Sequence, residues 1–295
     1  MDAADLRIFE AVARLGGMNR AAGELGTVQS NVTQRIRQLE TELAAPLFER
    51  HARGVALTPA GHRLLPYAAR VAQLLAEARR AVADDGAPKG PLAIGSLETT
   101  AALRLAPVLA SFAAAHPAVD LSLATGTSAE LVEQVLGRRL EGAFICGPVR
   151  HPELDEETMF REELVLVTQR SPLGLEALLA ARDLKIVVLR AGCSYRQRLE
   201  EILARRGVVG LRRLEFGTID GLLGCAAAGI GMTLLPRAIV AGAWREGRVN
   251  VHALPEEEAT VDTLFIRRRD GFVSSALAAF LAHARPASAT AEAAE

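Results

Sequence analysis

The sequence predicts a two-part molecule: an N-terminal all-α head built on a winged helix-turn-helix and extended by a long linker helix, then a larger two-lobed α/β module. Three observations predict it. Helical apolar periodicity fills the first 83 residues, interrupted by one short basic hairpin. The stretch Asp84-Asp85-Gly86-Ala87-Pro88-Lys89-Gly90 then breaks the chain. Beyond it, short apolar runs alternate with helical stretches, and the alternation runs twice.

In the head, Leu6, Phe9, Val12 and Ala13 recur at helical spacing, and Gly16-Gly17 stops that helix. A second helix, Asn19 to Leu25, begins on Asn19 as N-cap, and its Ala21-Ala22 pair permits close helix approach. Gly26 makes a turn, and a third helix follows with Val32, Ile36 and Leu39 inward. Leu47-Phe48 and Val55-Ala56-Leu57 flank a basic turn containing Gly54, which reads as a hairpin wing. Thr58-Pro59 opens a long helix, with Thr as N-cap and Pro at the first helical position. Along it Leu64, Tyr67, Val71, Leu74, Ala78 and Ala81 or Val82 form a coiled-coil-like stripe, and Pro66 should kink it. The head is too small to cover that stripe alone, so the helix is read as a dimerisation element.

In the second part, Pro91–Gly95, Val119–Ala124, Gly142–Cys146 and Leu164–Thr168 read as strands. So do Lys185–Leu189, Leu214–Phe216 and Met232–Leu235. Helices are expected over Thr99–His116 and Thr127–Leu136, and from Ser194 and Thr218, giving parallel sheets flanked by helices. The expected organisation is a winged helix-turn-helix domain over 1–58, a linker helix and hinge over 59–89, and an α/β domain over 90–285. Within the last, lobe I takes about 90–162 and 266–285, lobe II about 163–265, and 286–295 is a disordered tail.

Composition narrows the function classes. Half of the residues are hydrophobic and 23% are charged, which suits a globular core. No run of 18 uncharged apolar residues suggests a membrane partner, and the acidic, periodic N-terminus does not resemble a secretory signal, so a cytoplasmic location is expected. Cys146, Cys193 and Cys225 are widely spaced, the six histidines are scattered, and neither a metal nor another cofactor is expected. Gly224, Gly229 and Gly231 lack a phosphate-loop Lys and the dinucleotide pattern, and no nucleophile elbow appears. No catalytic residue is therefore assigned and no enzyme is expected.

The net charge of −1 says nothing for nucleic acid, but its distribution does. From Thr27 to Leu39 the only charged residues are Arg35 and Arg37, and from Arg50 to Arg63 there are Arg50, Arg53, Arg63, His51 and His62 with no acid. A helical wheel of the third helix puts Ser30, Thr33, Gln34 and Arg37 outward, with Gln29 at the exposed start. Gln29 and Asn31 suit bidentate bonds to adenine, and Ser or Thr can contact several bases. Arg37, Arg50 and Arg53 would hold phosphates.

In residues 20–50, RAAGELGTVQSNVTQRIRQLETELAAPLFER, followed by Arg53 and LTPAG at 57–61, the chain resembles the LysR-type transcriptional regulators, and the resemblance extends to about residue 285. Val28, Met18-Asn19 and Ser30 depart from the commoner residues of that signature, which bears on the bases read and not on DNA binding. The resemblance implies double-stranded DNA as partner, a homodimer or dimer of dimers, and RNA polymerase as a candidate contact. It also implies a small-molecule effector held between two lobes similar to those of periplasmic solute-binding proteins. The lobes should be joined by crossover strands near Arg161–Glu163 and Phe265–Arg267. Ligands sit at strand ends in such sheets. Three junctions therefore become candidate effector contacts: Ser96 with Thr99 and Thr100, Thr127 with Ser128, and Arg190 with Ser194 and Arg196. Thr127–Glu130 and Ser194–Gln197 have capping-box spacing. Helix starts and arginines favour a small anionic metabolite. An enzyme or transport-type solute binder, and an architectural DNA protein with a vestigial sensor, are the competing classes.

Overall fold

A computed structural model describes residues 1–51, 54–172, 174–179, 184–208 and 210–285. Arg53 and the 286–295 tail lie outside them, as does the side chain of Arg50. The chain divides into two compact units, Met1–Asp84 and Asp85–Glu295.

In the first unit, α1 (Ala3–Leu15) is closed at its start by reciprocal bonds between Asp2 and Asp5, and at its end by Gly16 at φ 65°. α2 spans Met18–Glu24. Its N-cap is Gly17, not the expected Asn19, because Met18 is drawn into the core at the first helical position. α3 (Gln29–Glu42) buries Val32, Ile36 and Leu39, the face its periodicity predicts. Glu40 Oε1 then accepts the backbone N–H groups of Leu47 (2.8 Å) and Phe48 (3.2 Å), which sets the start of the wing. The wing pairs β1 (Phe48–His51) with β2 (Gly54–Leu57) antiparallel. Gly54, at φ +141°, lies so close to Gly16 that a Cβ would sit 2.5 Å from the Gly16 carbonyl oxygen. The next residue, Val55, donates its N–H to that same oxygen at 3.2 Å.

α4 (Pro59–Ala83) begins as expected on Thr58, whose hydroxyl accepts the Gly61 N–H at 3.0 Å. Its apolar stripe splits. Leu64, Leu65, Ala68 and Val71 pack onto the head, whereas Tyr67, Leu74, Leu75 and Val82 are exposed.

The second unit opens with β3 (Gly90–Ser96) and the short α5 (Glu98–Thr100). A π-helical turn over Ala101–Leu105 then leads into α6 (Ala106–Ala115). The single expected helix is thus interrupted just ahead of Pro107, which has no N–H to return to the preceding turn. β4 (Val119–Thr125), α7 (Ser128–Leu136), β5 (Gly142–Cys146) and β6 (Leu154–Gln169) follow. Then come α8 (Leu175–Leu179), β7 (Lys185–Leu189), α9 (Ser194–Arg205), β8 (Arg212–Phe216) and α10 (Ile219–Ala227). The chain continues through β9 (Thr233–Pro236), α11 (Arg237–Arg245), β10 (Val249–His252), α12 (Glu256–Ala259), β11 (Thr260–Arg268) and α13 (Ser275–Ala284).

β3 pairs parallel with β4 and β5, and β7 pairs parallel with β8. The sheets are mixed and not parallel throughout, because β11 runs antiparallel to β5 and to β6, and β6 runs antiparallel to β9 and β10. β6 is the long element of the fold, of which sequence reading finds only the Leu164–Thr168 end. Its earlier half, LDEETMFREE, carries charges on a partly exposed face and so lacks the apolar run that betrays a strand. At Leu164 the partner of β6 changes from β11 to β9, which marks the first crossover beside the expected Arg161–Glu163. The return crossover lies opposite, where Thr260, Val261 and Asp262 pair with Glu163, Glu162 and Arg161. The expected Phe265–Arg267 is instead inside lobe I, with Phe265 opposite Phe144 on one side and Glu157 on the other.

Candidate functional site

On the head, α3 projects Gln29, Ser30, Asn31, Gln34 and Arg37 into solvent, with Thr33 half-buried. Gln29 Nε2 reaches Thr33 Oγ1 at 3.4 Å and Asn31 Nδ2 donates to Thr27 Oγ1 at 3.0 Å, local bonds that a base edge can replace. Ser30, Gln34 and the Arg37 guanidinium meet no side-chain partner among the described residues. Arg35 differs from Arg37. It donates to Asp5 at 2.7 Å and lies 3.5 Å from Asp2, so it ties α3 to α1 and drops out of the basic footprint. Exposed Val28, the N-cap of α3, offers an apolar contact at the leading end of the same surface.

In the second unit a cavity of about 80 Å³, partly open to solvent, gathers the ends of β3, β4, β5 and β7 and the starts of α5, α7 and α9. Of the expected effector contacts, Thr99, Thr127, Arg190 and Ser194 line it. Ser96 and Thr100 do not; both are buried, and the Ser96 hydroxyl donates to the Leu97 carbonyl at 2.9 Å. Ser128 and Arg196 border an adjoining groove of about 580 Å³. Arg196 is committed there, 2.6 Å from Glu215 and 3.3 Å from Glu200. Sequence reasoning missed Glu98, Thr125 and Tyr195, all on the cavity wall. Glu98 stood inside the Ser96–Thr100 window, but a search for hydroxyls and cations passes over an acid.

Much of the polar lining is already satisfied from within. Thr127 caps α7 in a full capping box, as its spacing predicts, and Glu130 Oε2 accepts both its N–H (2.8 Å) and its hydroxyl (3.0 Å). Those bonds, the backbone N–H first and the hydroxyl next, hold the Glu130 carboxyl below its usual range, with nearby Arg190 adding to them. Ser194 forms no such box with Gln197. It is the first helical residue of α9, whose N-cap is Cys193, and its hydroxyl reaches Ser128 Oγ at 3.0 Å. Thr99 Oγ1 meets the buried Tyr195 hydroxyl at 3.3 Å. Glu98 Oε1 accepts the Ile219 N–H at the start of α10, at 3.4 Å. These last three bonds run from one lobe to the other. Burial pushes the Tyr195 phenol and the Cys193 thiol up, and the Cys146 thiol up to about 12.

Among the described residues no group of three or more His, Cys, Asp or Glu side chains could hold a metal ion. No described helix is long and apolar enough to cross a membrane.

A winged head with an outward polar α3, joined to a two-lobed α/β module with a cleft at its strand ends, defines a DNA-binding transcriptional regulator. Residues 3–62 match the bacterial regulatory helix-turn-helix proteins of the lysR family, and residues 85–289 match the LysR substrate binding domain. The chain belongs to the LysR family. It is 43% identical over 280 residues to the HTH-type transcriptional regulator GltR of Bacillus subtilis, covering 95% of each chain. To the regulator CzcR of Bacillus anthracis it is 40% identical, covering 95% of this chain and 96% of that one. Among solved structures it resembles full-length CbnR in complex with its target DNA, at 26% identity and a TM-score of 0.66, covering 96% and 99%.

Proposed function

We propose that this regulator reads its operator through α3 and is switched by a small polar metabolite bound between the lobes of its second unit. Gln29, Asn31 and Gln34 contact bases, assisted by Ser30 and Thr33. Arg37, with Arg50 and Arg53 of the wing, holds phosphates. The exposed apolar residues of α4, Tyr67, Leu74, Leu75 and Val82, pair with a second copy, so that two heads address a dyad site. A dimer of dimers and contact with RNA polymerase extend this reading.

The observation that carries effector control is the cavity itself. It draws its wall from both lobes, and three bonds made by side chains in or beside it link one lobe to the other. A ligand that alters those bonds shifts the balance between lobe arrangements. Arg190 supplies the grip on an acidic group, since its guanidinium makes no hydrogen bond or ion pair among the described residues.

Gly217 supplies the test. It lines the cavity, and a Cβ there would meet nothing within 4 Å. Low-molecular-weight cell fractions are scored for changing the DNA footprint of the full chain. At least one fraction should act on the natural protein and fail on Gly217→Phe. Equal responses from the two proteins, or none from either, would end the effector reading.

A further inference from the structure

The cavity wall carries two charges of opposite sign that are not spent on each other. Glu98 stands at the start of α5 and Arg190 at the end of β7. No ion pair joins them, and neither has an ion-pair partner among the described residues. Around them the charged side chains are matched: Arg196 with Glu200 and Glu215, Arg213 with Glu200, and Glu130 within its own helix cap. Glu98 is half-buried and held in place through one oxygen by the Ile219 N–H, and its other oxygen meets no donor among the described residues.

From this placement we infer that the effector is a small amino acid, bound as a zwitterion with its carboxylate on Arg190 and its ammonium on Glu98. The inference rests on the effector reading above and narrows it. A plain carboxylate satisfies Arg190 but brings a like charge toward Glu98, and a plain amine does the reverse. Only a ligand with both groups neutralises both walls, and the repulsion of the one-charged analogues supplies the discrimination. At two of the nearby helix starts, those of α7 and α10, a carboxylate of the protein already stands where a ligand's would. The Thr127 N–H is already given to Glu130 and the Ile219 N–H to Glu98, so each of these helix starts faces a carboxylate of the protein itself. The remaining lining adds hydroxyls, Thr99, Thr125 and Ser194, and two apolar side chains, Leu97 and Leu189, enough for a short side chain.

The test uses the full chain and matched triads. Glycine, alanine, serine and aspartate are each titrated calorimetrically beside the acid lacking the amino group and the amine lacking the α-carboxylate. At least one amino acid should bind tenfold or more tightly than both of its truncated analogues. Glu98→Gln should collapse that preference over the acid to within about threefold, and Arg190→Gln should collapse the preference over the amine. If an acid binds as well as its amino acid, if Glu98→Gln leaves the preference intact, or if no amino acid binds, the zwitterion inference is overturned. The effector reading would survive any of these results so long as a cell fraction still acts on the natural protein and not on Gly217→Phe. It falls separately when that cleft-filled variant responds like the parent.

Discussion

The head and the sensor put their working groups to opposite uses. On α3 the outward polar side chains are exposed and lightly bonded, and Ser30, Gln34 and the Arg37 guanidinium meet no side-chain partner among the described residues. In the cleft most polar groups are bonded to one another, Thr127 to Glu130, Ser128 to Ser194 and Thr99 to Tyr195. A surface reader must leave its donors and acceptors free for a large partner. A closed cleft must satisfy them until the ligand arrives, because an unmet buried polar group costs about 1–3 kcal/mol. On the cavity wall the charges without an ion-pair partner among the described residues are the half-buried Glu98, which accepts only the Ile219 N–H, and the exposed Arg190.

The strongest blow to the head should come from its backbone and not from α3. Gly54→Val forces a side chain against the Gly16 carbonyl at a φ that valine resists. Strain and overpacking together should cost about 3 kcal/mol. Urea unfolding should show the loss, and DNA binding should weaken while the stability of the second unit is unchanged. Undiminished DNA binding would show that the wing docks elsewhere.

Next in size is assembly. Leu74→Glu with Leu75→Glu places charges on the exposed part of the α4 stripe and should shift the sedimenting species toward the monomer. Val71 is unsuited to this test because it packs on the head, where a charge would unfold the unit it reports on. An unchanged oligomer would remove α4 from the interface.

The α3 assignments predict two distinguishable losses. Gln29→Ala should weaken the preferred site by ~1–3 kcal/mol and relax its sequence preference. Arg37→Ala should weaken specific and random DNA alike and reduce the salt slope by about one. Identical behaviour of the two variants would contradict the division into base and phosphate contacts.

In the sensor, Arg196→Ala should change effector affinity by less than about threefold, since its guanidinium is already held by Glu215 and Glu200. A tenfold loss would mean that those ion pairs open when the ligand binds.

The smallest effect concerns the thiols. Burial raises the Cys146 thiol to about 12, so the protonated, unreactive form prevails at pH 8. Iodoacetamide at pH 8 should label the less buried Cys225 well before Cys146, and labelling of Cys146 should climb as pH rises toward 12. Fast labelling of Cys146 would place it at an opening of the cleft and not in its wall.

Legibility in the sequence follows the same divide. The inward face of α3, the wing and the Thr58 cap are local patterns, and Val32, Ile36 and Leu39 are where the helical period puts them. The outward residues of α3 then follow by exclusion. The cleft is assembled from residues far apart in the chain, so local pattern finds only its pieces. Thr127 was recoverable because a capping box is a local motif. Arg196 was misleading because its partner Glu215 lies on another element, and nothing in RAGCSYR announces it. The charged half of β6 was hidden because alternate residues face solvent, and the return crossover went astray because β11 extends well into lobe I beyond it.

The two crossovers lie side by side in one antiparallel ladder, Thr260 with Glu163, Val261 with Glu162 and Asp262 with Arg161, fastened by the Arg161–Asp262 ion pair at 2.9 Å. A ribbon of two hydrogen-bonded strands twists and bends out of its plane more readily than its strands slide past each other, since sliding breaks every rung at once. The lobes are thus freer to twist and bend about this ladder than to slide along it. On the proposed effector reading, a bound ligand would set how far the lobes twist and bend about this ladder. Amide exchange at the ladder, between Arg161 and Glu163, is where such a change should be readable.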